Sequence, residues 1–270
     1  MSFTIETIYN TFKNKQQDVF IKTIRDLTLI RISNDHFMVI AVDSDGGIGP
    51  MDGDTVKIPA YVSGRFAIRV PLLEILCSGA TPVCAFDMLT MPMNEVGSEI
   101  LRGVKEELFC AGLGKDFPVS GSTEDNVPTN MTGIGTTIVG MVHENDLRPG
   151  TSKVDDIIVC VGIPKSGPDD VIMLDDSEIL SQESMQVLCK IPGVHDMLPV
   201  GSHGIAYEAK EMAKTSDLEL IVNKKQNINI EKSAGPSTCV IISCLESVFD
   251  KLSDKIKTPV NKIGKLREAK

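Results

Sequence analysis

An apolar run from Phe37 to Val42 breaks directly into Asp43-Ser44-Asp45-Gly46-Gly47-Ile48-Gly49-Pro50-Met51-Asp52-Gly53-Asp54, a stretch holding four carboxylates and four glycines. The run reads as a β-strand, and the glycine-rich stretch after it must turn sharply. Carboxylates offer the hard oxygen ligands that Mg²⁺ prefers, and glycines let backbone come close to phosphate oxygens. The same composition also suits a plain acidic surface turn. Later segments decide between the two.

The chain has 270 residues, 42% of them hydrophobic, enough for one large or two modest cores. Its formal net charge of −10 argues against a nucleic-acid partner, which needs clustered Lys and Arg to displace counterions. Seven cysteines (Cys77, Cys84, Cys110, Cys160, Cys189, Cys239 and Cys244) form no CxxC pair and sit mostly in apolar runs. They read as reduced residues of a cytoplasmic protein. No leader pattern opens the sequence and no apolar run approaches the ~20 residues that span a bilayer, so a membrane partner is not expected. With no Trp, the core must be mainly aliphatic.

Residues 1–23 read as one amphipathic helix, with Ile5, Ile8, Tyr9, Phe12, Val19 and Phe20 at helical intervals. Residues 26–33 and 36–43 read as a hairpin turning at Asn34-Asp35. Helices are predicted over 60–78, closed by Gly79, and over 95–111, closed by Gly112. Strands are predicted at 82–91, 117–121 and 133–142, with a polar loop over 122–130. Arg148-Pro149-Gly150 punctuates a polar linker, dividing the chain into residues 1–150 and 151–270. The second part alternates strands at 157–163, 218–222 and 238–242 with helices near 177–190, 204–214 and 245–255. From Lys251 onward, where local positive charge gathers, the expectation is a solvated helix with a frayed end or else a phosphate or partner contact. The whole reads as mixed α/β, two domains in series.

Two further segments carry chemistry. In Arg65-Phe66-Ala67-Ile68-Arg69-Val70-Pro71-Leu72-Leu73-Glu74, the two arginines share one helical face. Glu74, a carboxylate on an apolar stretch, needs either an arginine or a metal as partner. In Ser120-Gly121-Ser122-Thr123-Glu124-Asp125-Asn126, hydroxyls, a glycine and two acids gather at the mouth between two strands, where they suit phosphate oxygens or a polar turn. Gly112-Leu113-Gly114-Lys115 is followed by Asp116, so no P-loop is present. The four histidines show no zinc spacing. His203 lies in a predicted loop, where it either faces a substrate or is simply exposed.

The order and spacing of these segments resemble the superfamily of aminoimidazole-ribonucleotide synthetase, thiamine-monophosphate kinase, selenophosphate synthetase and the hydrogenase-maturation dehydratase. Ser44 and Asp45 match the Thr-Asp of that family's first metal motif. Asp45-Gly46-Gly47-Ile48-Gly49 is similar to the synthetase's Asp-Gly-Val-Gly-Thr. Glu74, ahead of Gly79-Ala80-Thr81-Pro82, matches the acid of its Asn-Asp-x4-Gly-Ala-x-Pro helix, and Ser120-Gly121-Ser122-Thr123 occupies the place of Gly-Gly-Asp/Glu-Thr. Arg25-Asp26-Leu27 looks like a remnant of Gly-Asp-Asp-Ala.

The resemblance spans residues 24–165 well and implies a two-domain synthetase-like α/β (α+β) fold. In it, residues 1–150 bind ATP and Mg²⁺ and build a shared β-barrel in a homodimer, while a shortened α/β domain, 151–270, faces the substrate. Asp26, Asp43, Asp45, Glu74 and Asp125 would then hold metal. Ser44, Gly46, Gly47, Ser122, Thr123, Glu124 and Asn126 would contact ATP, with Arg65 and Arg69 offsetting the transferring charge beside Asp45 and Glu74.

Ser122 stands where the family has an acid, Glu74 where it has Asp, and the synthetase's Lys after Gly-Thr is absent. Metal binding must then lean on Asp43, Asp45, Asp52, Asp54, Glu124 or Asp125. Residues 199–208, including Ser202, His203 and Gly204, and residues 232–238 are expected as substrate-facing loops. The combination of motifs looks most like the α-ribazole kinase branch of cobalamin salvage, with a nucleoside-like acceptor. Alternatives are another ATP-dependent reaction of the superfamily, synthetase-like or thiamine-monophosphate kinase-like, and a non-catalytic nucleotide-binding dimer.

Overall fold

The computed structural model describes residues 4–269. In chain order its elements are α1 (Ile5–Lys13), β1 (Ile21–Ile24), β2 (Leu27–Arg31), β3 (His36–Gly46), β4 (Ile48–Gly49), β5 (Val56–Lys57), α2 (Ala60–Cys77), β6 (Thr81–Leu89), α3 (Glu95–Cys110), β7 (Val119–Thr123) and β8 (Gly133–His143). There follow β9 (Ile157–Val161), α4 (Gln182–Leu188), β10 (Val194–Pro199), α5 (Gly204–Thr215), β11 (Leu218–Val222), β12 (Val240–Cys244), α6 (Glu246–Phe249), α7 (Leu252–Lys255) and β13 (Val260–Glu268).

Two sheets carry the architecture. The first, in the order β1-β2-β3-β8-β6-β7, is antiparallel except for the parallel β6–β7 pair. The second, β10-β12-β9-β13-β11, is antiparallel throughout. Each takes all its strands from one side of residue 150.

Helix α2 lies between them. Ile68, Leu72 and Ile75 pack into the core under the first sheet, while Leu73 and Cys77 join the core under the second. A helix apolar nearly all round is a buried one, as its sequence of Ala, Ile, Val and Leu dictates. Pro71 interrupts it, removing the N–H that would bond the carbonyl of Ala67. The Thr136 hydroxyl on β8 donates to that carbonyl instead, at 2.9 Å. Helix α3 packs on α2 at backbone range. A Cβ at Gly64 would collide with the Ile100 carbonyl, and one at Gly103 with the Tyr61 carbonyl, so glycine is required at both.

Several expectations are corrected. The helix expected over 1–23 is α1 alone, followed by a 3₁₀ turn (Gln17–Val19) and β1; its first three positions lie outside the described residues. β1 forms because residues 21–24 gain a partner in β2, a long-range reward that periodicity does not register. The tail is not a frayed end. β13 sits inside the second sheet between β9 and β11, with Ile263 and Leu266 fully buried. Its lysines disguised it: Lys262 and Lys265 form salt bridges with Glu246 and Asp155. β10 was not foreseen, and the predicted helix at 245–255 is two short ones, α6 and α7. Among the described residues no helix is long and apolar enough to cross a membrane.

Candidate functional site

Along β3, Phe37, Val39 and Ala41 are buried against the helices. A strand alternates faces, so the same parity carries Asp43 and Asp45 to the helix side of the sheet. There they line a cavity of about 760 Å³ between the two halves of the chain. On α2, Ser63, Phe66, Val70 and Glu74 recur three or four residues apart and form one stripe along the cavity. Asp26 enters from the β1–β2 turn. The second half contributes residues 166–172, Ser202, Glu208 of α5, and the Ser233–Ser237 segment.

Among the described residues six carboxylates thus line one cavity; Asp170 is paired with Lys232 at 2.7 Å, while Asp26, Asp43, Asp45, Glu74 and Glu208 share a lining whose one cation is Lys57. Burial, joined by the charge of Asp43, pushes Asp45 up to about 6. Burial raises Asp43 as well. Glu74 is driven up to about 8 by burial and then by Asp26 and Glu208, and Glu208 to about 7 by burial and Asp26. Such mutual repulsion is what a bound divalent cation relieves, and an all-oxygen donor set suits a hard one. Among the described residues no three His, Cys, Asp or Glu side chains form a ready-made metal cage. Mg²⁺ does not need one, since it takes one or two carboxylates and completes its octahedron with water and phosphate oxygens.

Other expected residues are placed elsewhere. Arg65 and Arg69 do not line the cavity; they pair with Glu107 of α3 at 2.6 Å and 3.1 Å. Arg69 is buried, donating also to the carbonyls of Ser237 (3.3 Å) and Leu180. The reason is Glu107, a carboxylate 2% exposed that needs neutralising and takes Gln182 Nε2 as well, at 2.6 Å. Asp54 is occupied too: its carboxylate accepts from Met51 N, Thr132 N and Thr132 Oγ1 at 2.7–2.8 Å, clamping the loop after β4. Gly47 adopts φ +74, and its N–H already donates to the Thr132 carbonyl, so it is not free for phosphate; Gly46 has open space around it. Ser44 lies on the opposite strand face from Asp43 and Asp45.

The segment Ser122-Thr123-Glu124-Asp125-Asn126 is not brought to the cavity. It lies at the end of β7, separated from β3 by β8 and β6, roughly 14 Å away at normal strand spacing. Glu124 there accepts from its own loop, Asn126 N at 2.6 Å and Val127 N at 3.1 Å, and Thr123 Oγ1 donates to Asp125 at 2.9 Å. Of the three expected substrate residues, Ser202 lines the cavity. His203 instead stands against Tyr207, ring centroids 4.7 Å apart, and Gly204 opens α5 in the left-handed region. Glu208 was missed. Its signal was present: Ile205, Ala206, Ala209, Met212 and Ala213 define the buried face of α5, and Glu208 falls on it.

Residues 25–142 match the family model described as AIR synthase related protein, N-terminal domain. Among curated relatives, a selenide, water dikinase of Dechloromonas aromatica (strain RCB) is 28% identical over 178 residues, covering 59% of this chain and 49% of its own. The chain spans about half the length of the curated relatives it matches. A thiamine monophosphate kinase from Aquifex aeolicus superposes with TM-score 0.64 at 13% identity, covering 98% of this chain and 96% of that one. T. maritima PurL complexed with ATP gives TM-score 0.64 at 15% identity, over 96% of this chain and 46% of its own. These structures share this chain's mixed α/β fold.

Proposed function

We propose that this chain is an ATP-dependent, Mg²⁺-assisted phosphotransferase of the cytoplasm. Its favoured acceptor is α-ribazole, converted to α-ribazole 5′-phosphate in cobalamin salvage. The observation that carries the reading is the convergence of Asp26, Asp43, Asp45 and Glu74 on one cavity, inside a segment of AIR synthase-like family. Solved relatives of the fold are described as complexed with AMPPCP and TMP or with ATP, which supports nucleotide as the ligand.

In this reading Asp43 and Asp45 hold the ion with Asp26 and Glu74. The ion, when bound, neutralises charge on the polyphosphate and the group in transfer. The chain's own contribution is positioning. The α2 stripe and the Ile48, Val56 and Ile58 wall exclude water from one side, and the second half presents Ser202, Glu208, Ser233 and Ser237 toward the acceptor. The lobes 1–150 and 151–270 act as the nucleotide and acceptor sides.

We assign the Ser122–Asn126 segment to the nucleotide site of a neighbouring copy. The sheet face away from the helices exposes Val42, Phe86, Met88 and Met141, an apolar surface of the kind that closes against a second subunit. Association through it makes a homodimer with a shared barrel.

The test is ADP formation from Mg-ATP with α-ribazole, thiamine monophosphate, formylglycinamidine ribonucleotide or no acceptor. Turnover with α-ribazole alone, and a product heavier by one phosphate, supports the reading. Turnover with another acceptor moves the specificity while keeping the chemistry. Nucleotide binding without turnover on any of them refutes the kinase assignment.

A further inference from the structure

The β1–β2 turn has two residues, with Ile24 and Leu27 paired across it. Its first residue, Arg25, has φ +54. Tight hairpins put glycine at such a position, because a Cβ there crowds the backbone. A strained conformation persists when its surroundings fix it, and it calls for a reason.

The fixing group is on the other half of the molecule. Arg25 Nη1 donates to Asp196 Oδ1 at 3.1 Å and Nη2 to Asp196 Oδ2, while Nε donates to Thr215 Oγ1 at 3.3 Å. The two side chains are 5% and 0% exposed. Asp196, at the second sheet's β10, is itself held by Gly150 N at 3.1 Å and Met197 N at 2.7 Å. Asp26 follows directly in the turn and lines the cavity, where its charge is felt by Glu74 of α2 and by Glu208 of α5. Asp26 therefore stands at the seam, between a carboxylate of each half. Nothing in its own short hairpin would keep it there; the arginine fork beside it does.

We propose that Arg25 is a positioning residue. Its fork on Asp196 pins the β1–β2 turn to the second half and holds the Asp26 carboxylate where it completes the oxygen set offered to the Mg²⁺-bound nucleotide. The inference rests on the metal reading above and adds a coupling to it: docking of the two halves and readiness of the metal site depend on the same side chain.

The experiment is calorimetric titration of a non-hydrolysable ATP analogue into the full chain at a series of Mg²⁺ concentrations, beside thermal unfolding. Arg25→Gly removes the fork and suits the turn; it is expected to raise the Mg²⁺ concentration for half-maximal binding at least tenfold. Arg25→Lys keeps charge but loses the paired geometry, and an increase of about threefold is expected. Should the orphaned Asp196 prevent Arg25→Gly from folding, the double variant Arg25→Gly/Asp196→Asn removes the unpaired buried charge and takes its place. Asp26→Asn tests the underlying reading separately. Loss of Mg²⁺ dependence in Asp26→Asn with a wild-type midpoint in the Arg25 variants overturns the proposal and leaves the metal reading standing. Wild-type behaviour in both overturns the metal reading itself. A lowered Tm with an unmoved Mg²⁺ midpoint makes Arg25 merely structural and also overturns the proposal.

Discussion

Replacing Glu74 by glutamine should stabilise the metal-free protein, and increasingly so as the pH rises. In the folded chain the Glu74 carboxyl is held at about 8 against an ordinary value of 4.5, by burial and by Asp26 and Glu208. Between those values the native state keeps a proton that the unfolded chain has released. The stability this group contributes is whole below about pH 4.5 and is lost as pH rises through about 8. The gap of about 3.5 between the two values corresponds to about 5 kcal/mol at roughly 1.4 kcal/mol each. Because neighbouring carboxylates share that repulsion, about 3 kcal/mol is the fair expectation for one substitution. Glutamine keeps the shape and cannot ionise. For a chain of this size it should raise the Tm in EDTA at pH 8.5 by roughly 5–10 °C and leave it nearly unchanged at pH 4.5. Differential scanning calorimetry across that range, with and without Mg²⁺ plus nucleotide, reads the effect. Ligand should then favour the wild type, reversing the order. A pH-independent difference between the two proteins, or a less stable variant in EDTA at pH 8.5, would falsify the electrostatic account of the cavity.

Arg69→Met removes the donor to Ser237 and Leu180 and half of the neutralisation of Glu107, so it should cost about 3–5 kcal/mol by urea unfolding; a loss under about 1 kcal/mol would return Arg69 to the catalytic candidates. Asp54→Asn leaves three donors poorly matched and should destabilise the loop after β4 by about 1–3 kcal/mol, seen as faster amide exchange at Thr132, without altering the Mg²⁺ dependence of nucleotide binding. Gly64→Ala drives a methyl into the Ile100 carbonyl and should lower stability by about 1–3 kcal/mol in the same unfolding assay. Under the proposed homodimer, Phe86→Asp on the open sheet face should shift the sedimentation profile toward monomer while the fold, followed by circular dichroism, survives; an unchanged profile removes that face from the interface.

Much of the first half could be read because its signals are local. Leu27–Arg31 and His36–Gly46 fell where alternation and the Asn34-Asp35 turn put them, and α2 and α3 ended at Gly79 and Gly112, both in the left-handed region. Elements whose stability is non-local escaped. β10 and β13 complete a sheet from segments far apart in sequence, and charge on Lys262 and Lys265 hid the buried pair Ile263 and Leu266. In the candidate site, Asp43, Asp45 and Glu74 were picked by residue type and spacing and Asp26 only through the family resemblance, and all four line the cavity. Arg65 and Arg69 were picked by the same reasoning and went to Glu107, a residue whose need for a partner no local pattern displays.

By itself the sequence determined the strand that turns into an acidic glycine loop, the apolar helix carrying Glu74 and the mixed α/β character, since these depend on periodicity and turn chemistry within a dozen residues. Tertiary structure alone decided which charges were spent and which were left. Arg25 neutralises Asp196 and Arg69 neutralises Glu107 across elements, whereas Asp45, Glu74 and Glu208 keep their repulsion around a shared cavity. Whether a buried charge is structural or functional depends on what lies within a few ångströms of it, and that distance is set by packing of segments remote in the chain.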